Sequence, residues 1–297
     1  APFAEEQSNT CREAAYQTYM DWRIKRGEAL GKPVAAFTPE DKERWMGIHL
    51  RGYIERAEAL APDVKYGAWL RSRPAFVRID DYIFHHASLS PDMAKLSIDD
   101  MNHTIAAEIA LFDKSRQTLV EAGVILPFFN FDETIAAART ERKRLKSMDT
   151  LTESQQQHVE AANALLGFTA WMSMRPDGPL WSRNFEKWTE EKGREQIAAI
   201  REAYGPVRFV VGHSPTSDHR IHVRFDNSVF LIDTGMSKSY YGGHPSALEI
   251  KDGVVAAIYR DDRIVLVEPQ GDAEAQEAQP QAVTRTSQSI WWGPSGQ

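Results

Sequence analysis

A mixed α/β chain is predicted, and three observations predict it. Helical patterns fill residues 10–60 and most of 97–204, a hairpin pattern interrupts them at 75–86, and short apolar runs punctuated by turn pairs follow from residue 207. The order is helices, hairpin, helices, then a mostly antiparallel sheet. This is an α/β or α+β layout, not a repeated βαβ array.

Each element has its own signal. The first helical stretch breaks at Gly31-Lys32-Pro33. The next begins at Thr38-Pro39-Glu40, where threonine caps and proline takes the first helical position. The hairpin runs from Ala75 to Ile79, turns at Asp80-Asp81 and returns from Tyr82 to His86. A long helix is predicted over 97–123, opened by the capping sequence Ser97-Ile98-Asp99-Asp100 and closed near Gly123. Further helices are predicted over 132–147, 153–168 and 186–204, the last ending at Gly205-Pro206. Beyond 207, Asp226-Asn227, Asp252-Gly253 and Asp261-Asp262 divide a meander of five to six strands. Residues 270–297 lose periodicity and are rich in Ala, Gln and Glu, so they are predicted to be a disordered tail. Trp291-Trp292 lies within it.

Composition sets limits on function. The 297 residues are 42% hydrophobic with a net charge of −7, and the pI is about 5.8. An acidic chain does not offer the basic face that nucleic acid or an anionic membrane requires. The one cysteine, Cys11, excludes an internal disulfide and a thiolate zinc cluster within one chain, and is read as structural. No run is long and apolar enough to span a membrane. The chain begins Ala-Pro-Phe without methionine, which suggests a processed product or a piece of a longer chain.

Candidate chemistry gathers at strand ends. An apolar run leads into Gly212-His213, and another ends in His85-His86 before Ser90-Pro91. Neighbours on a strand face opposite sides, so one of the adjacent histidines can face a given site. Two such histidines, far apart in sequence, begin a metal-site argument. Asp233 closes a strand before Thr234-Gly235; it can serve as a site carboxylate or as a turn former. Asp218, His219 and His222 surround the loop after His213, where His219 reads as solvated and His222 as exposed. In the Gly178–Arg183 segment, a guanidinium beside a buried tryptophan suits phosphate recognition; an ordinary loop is the alternative. Tyr240-Tyr241-Gly242-Gly243 is a glycine turn with phenol donors. The phosphate-cradling GxxxxGK[ST], the dinucleotide GxGxxG, the GxSxG elbow and the HExxH helix are all absent.

Taken in order, these segments resemble the calcineurin-like metallophosphoesterases, in particular a bacterial branch similar to Ser/Thr protein phosphatases. Tyr66–Pro74 followed by YIFHHASLSP is similar to the family's approach to its HGGLSP motif. DGPLWSR at 177–183 is similar to DGPLWxR, and VGHSP at 211–215 to VGHTP. Leu231–Gly235 and Ser246–Glu249 are similar to IDTG and SALEI. The resemblance covers about 10–268. It implies a layered α/β sandwich with mixed sheets, here incomplete, with a large helical insertion at about 93–205 in a domain spanning 1–269. It implies a hydrolase of phosphate monoesters acting through a metal-activated water with two divalent ions (Mn, Fe or Zn). His86 and His213 would be metal ligands and Arg183 a phosphate clamp. The substrate would be a phosphoprotein or a small phosphate ester. The family also implies a lean toward a periplasmic or exported location.

The sequence departs from that family in two ways. GDxHG, GDxxDRG and GNHE, which supply the remaining ligands and the general-acid histidine, do not occur, and HGG has become His86-Ala87-Ser88. The expectation is therefore a C-terminal portion of a phosphatase, inactive alone. The alternative is a non-catalytic pseudo-phosphatase or interaction module.

Overall fold

The structure, a computed structural model, describes residues 2–269. The expected tail at 270–297 lies outside the described residues. The chain divides into two compact units, Ala1–Ser246 and Ala247–Gln297.

The first unit opens with helices. α1 (Pro2–Ala29) is followed by α2 (Pro39–Ile48), α3 (Tyr53–Ala59) and α4 (Lys65–Arg71). Thr38 caps α2 as predicted: its side chain accepts from Asp41 N while Asp41 answers the cap's own N–H. Tyr16, Trp45 and Ile54 bury the inner faces of α1, α2 and α3 together. The buried His49 stacks on Trp45 at 4.0 Å and reaches Glu133 at 3.2 Å, tying α2 to a later helix.

The predicted hairpin forms. β1 (Phe76–Ile79) pairs antiparallel with β2 (Tyr82–His85) across a turn in which Asp80 takes a φ of 52°. β1 is an edge strand, and Asn102 covers part of its open side by accepting from Phe76 N and donating to Phe76 O. Between β2 and the next strand lie α5 (Ile98–Glu121), α6 (Phe131–Lys146), α7 (Glu153–Leu166), α8 (Asn184–Lys187) and α9 (Glu190–Tyr204). Ser97, Asn130 and Thr152 each cap a helix by accepting the backbone N–H three residues on. α5, α6 and α7 close around Leu119, Ile125, Ile135, Ala138, Ala162 and Leu165. Glu141, almost fully buried, is held by Arg26 and Arg144.

The single helix expected over 186–204 is two. Trp188 leaves the helix in extended backbone, and Thr189 caps α9 by accepting from Lys192 N. A capping residue needs non-helical backbone, so the threonine that starts α9 also ends α8.

The mostly antiparallel sheet expected after 207 is also corrected. β3 (Arg208–Val211), β4 (His222–Arg224) and β5 (Val229–Leu231) join the hairpin in a mixed sheet of order β1-β2-β3-β5-β4. β2, β3 and β5 run parallel, and β4 is the antiparallel edge. β3 and β5 are buried along nearly their whole length, with no polar alternation; such runs suit the centre of a covered sheet. Phe209, Val211, Val229 and Leu231 pack with Leu89, Met101, Phe185 and Ile197 into one core.

The second unit holds a three-stranded sheet of order β6-β7-β8: β6 (Ser246–Lys251), β7 (Val254–Tyr259) and β8 (Arg263–Val267). Asp252 and Gly253, with φ of 51° and 76°, make the predicted turn between β6 and β7.

Candidate functional site

The parallel pairing of β2 and β3 aligns their carboxyl ends, the edge of an open α/β sheet where ligands characteristically bind. His86 and His213 each follow one of these strands. Gly212 N donates to His86 O at 3.0 Å, locking the two chain segments side by side. A second clamp comes from the loop before α8: Ala87 N donates to Pro179 O at 3.1 Å and Ser88 N to Ser182 O at 3.0 Å. Ser88 Oγ then accepts from Phe185 N at 2.9 Å. The HASLSP and DGPLWSR segments, remote in sequence, are thus stitched together by their backbones.

The two imidazoles meet. His86 Nε2 stands 3.1 Å from His213 Nδ1. His213 Nε2 lies 3.0 Å from Trp181 O. A carbonyl can only accept, so in this geometry Nε2 carries the proton and Nδ1 presents its lone pair toward His86. Burial, with Arg183 and His86 nearby, holds the His213 pKa below its ordinary value, against the opposing pull of the Trp181 carbonyl and Asp233. The neutral ring is the form that ligates metals. His213 also adopts a φ of 67°, a left-handed conformation uncommon outside glycine, asparagine and aspartate. Such outliers gather where a side chain must be aimed.

His85 behaves differently from its neighbour, as strand alternation requires. It is 8% exposed, lies against Phe76 with ring centroids 5.0 Å apart, and meets the edges of Phe185 and Phe209. Neither of its ring nitrogens has a hydrogen-bond partner, and burial lowers its pKa to about 3.

Arg183 is exposed and reaches the same locus, donating from Nη1 to Ser214 Oγ at 3.3 Å. The tryptophan beside it is not buried as expected: Trp181 is 48% exposed, and its Nε1 donates to Ser173 O at 2.9 Å. Asp233 serves its own turn, its Oδ1 accepting from Gly235 N at 3.0 Å. His219 is more constrained than a solvated turn residue: it has a φ of 57°, and its Nδ1 lies 3.1 Å from Thr234 O. His222 pairs with Asp218 at 2.9 Å. Cys11 is half-buried on α1 and free.

The pair suits one edge of a metal site. Two nitrogens bound about 2.0–2.1 Å from one ion stand roughly 3 Å apart, and the observed separation is 3.1 Å. The backbone carbonyl on the far nitrogen of His213 is the usual support of a ligating imidazole. Among the described residues no group of three or more His, Cys, Asp or Glu is placed to hold a metal. None of the helices described is long and apolar enough to cross a membrane.

No family model matches the chain, and no solved structure matches it. A stretch of 88 residues is 38% identical to Shewanella-like protein phosphatase 1 of Plasmodium berghei (strain Anka). The match covers 28% of this chain and 24% of that protein, so the chain spans about a quarter of the length of the relative it matches. The similarity points to a phosphatase family.

Proposed function

We infer that this chain carries the histidine-bearing part of a calcineurin-like metallophosphoesterase site, whose complete form hydrolyses phosphate monoesters with a metal-activated water. The observation that carries this reading is the 3.1 Å meeting of His86 and His213, 127 residues apart in sequence, at the carboxyl ends of adjacent parallel strands. The layered α/β sandwich belongs to the same reading, as does a domain over 1–269 with its helical insertion at about 93–205.

His86 and His213 would hold a divalent ion (Mn, Fe or Zn) through Nε2 and Nδ1 respectively, the nitrogens that face each other. An ion held by these two nitrogens would supply Lewis-acid polarisation of a phosphate oxygen and a lowered pKa for a bound water. Arg183 supplies a delocalised cation beside the pair, suited to phosphate oxygens, with Ser214 fixing its guanidinium. GDxHG, GDxxDRG and GNHE do not occur in the sequence, so on this reading His86 and His213 supply only part of the ligand set. The substrate on this reading is a phosphate ester of a phosphoprotein or a small molecule.

Metal titration with manganese and zinc, read by calorimetry and elemental analysis, tests the reading. The wild-type chain should bind one ion, and His86→Ala and His213→Ala should each weaken binding at least about tenfold. Binding indifferent to both substitutions would overturn it. The second reading, a non-catalytic pseudo-phosphatase or interaction module, rests on the lack of a third metal-binding side chain beside the pair among the described residues. Absence of any metal affinity would favour it.

A further inference from the structure

A cavity of about 590 Å³ opens directly on the histidine pair. His86 and His213 form part of its wall; the rest is mainly hydrocarbon, with Ile105, Ile109 and Phe112 from α5, and Trp171, Leu180 and Trp181 from the segment before α8. The volume lies within the roughly 300–1,000 Å³ of sites for drug-sized ligands, far more than one phosphate group needs.

The charged groups in the wall are already committed. Arg71 Nε donates to Asp113 Oδ2 at 2.5 Å and Nη2 to Asp113 Oδ1 at 2.9 Å. Arg71 Nη1 is spent on the carbonyls of Leu60 and Gly67. Four of the five Arg71 N–H donors are thus engaged within the protein, and its charge is paired with Asp113. Outside that ion pair, His86 and His213 are the titratable groups of the wall. Trp181 couples the two regions, because its carbonyl orients His213 while the residue lines the cavity.

We propose that this cavity seats the alcohol portion of the substrate, and that this portion is a bulky uncharged hydrocarbon, larger than a single ring, esterified to the phosphate held at His86 and His213. The proposal rests on the phosphoesterase reading of the pair. Burial of the hydrocarbon adds affinity in proportion to apolar area. Sugar phosphates and nucleotides, whose polar groups would be buried there without partners, are disfavoured.

Calorimetric binding to the purified chain with manganese present tests this without relying on turnover. The probes are 1-naphthyl phosphate, phenyl phosphate, 1-naphthol and inorganic phosphate. Naphthyl phosphate should bind at least about tenfold more tightly than inorganic phosphate and more tightly than phenyl phosphate. Ile109→Arg, which places a charge on an already exposed position of the lining, should cancel that gain. Leu111→Arg, at an exposed site on the same helix outside the lining, should leave it unchanged. Phosphate binding that requires His86 and His213 but gains nothing from the naphthyl group would overturn the cavity assignment and leave the phosphoesterase reading standing. Naphthol bound as tightly as its phosphate, with both weakened by Ile109→Arg, would overturn the monoester and the reading of the histidine pair beneath it.

Discussion

His85 and His86 are consecutive histidines with opposite fates. The strand turns His86 toward His213 and buries His85 against three phenylalanines with both nitrogens unpartnered. That burial links acid to unfolding. The His85 pKa is about 3 when folded against an ordinary 6.5, so between these values the unfolded chain binds a proton that the folded chain refuses. Stability from this residue is intact above about pH 6.5 and falls as pH drops toward 3, at up to about 1.4 kcal/mol per pH unit. Replacing it with phenylalanine, which suits the aromatic surroundings and does not titrate, should flatten the acid limb. Urea denaturation of wild type and His85→Phe at pH 7 and pH 4.5 measures this: the wild type should lose more stability than the variant between the two. Equal losses would show that His85 does not carry the acid sensitivity.

At the scale of elements, the fold depends on a few close approaches. Gly193 on α9 lies against Phe225, and a Cβ there would come within 1.9 Å of the phenyl ring. Phe225 is 1% exposed and has a φ of 53° in the β4–β5 turn, so the ring cannot easily yield. Arg224 reinforces the same junction, donating to the carbonyls of Phe185, Glu186 and Trp188 and to Glu190. Alanine at a helical glycine normally gains up to about 1 kcal/mol, but overpacking costs about 1–3 kcal/mol, and a contact this short belongs at the upper end. Gly193→Ala should therefore lower Tm by several degrees, whereas Gly47→Ala on α2, where a Cβ meets nothing within 4 Å, should raise it slightly. Thermal melts of the two variants side by side separate steric cost from helix propensity.

The same elements show what could be read from sequence. The hairpin and α5 were legible because their signals are local: an Asp-Asp turn between apolar runs, and Ser97 three residues before an acceptor-seeking N–H. Parallel pairing was not, because Val229, Phe230 and Leu231 are all buried and leave no polar alternation to reveal a direction. His86 and His213 could be singled out as strand-end histidines. Their apolar surroundings could not, since Ile109 and Trp171 enter the wall only after the helices have packed.

For the whole molecule, the decisive comparison is between the chemistry assembled and the chemistry required. Two imidazoles meet beside an arginine, yet no third His, Cys, Asp or Glu completes a metal-binding group among the described residues. A catalytic metal is usually held by three or more protein ligands, leaving one position for water. A two-histidine edge can capture an ion without fixing its geometry, and the large rate enhancements of hydrolases depend on fixed geometry. With manganese supplied, the purified chain should hydrolyse p-nitrophenyl phosphate at below about 0.01 s⁻¹, against the 1–10³ s⁻¹ typical of enzymes. The residual rate should fall further with Arg183→Ala if that guanidinium holds the phosphate. Turnover near 1 s⁻¹ that disappears in His86→Ala would instead mean that these 297 residues assemble a complete site, with ligands supplied by residues outside the described ones or by a second copy of the chain.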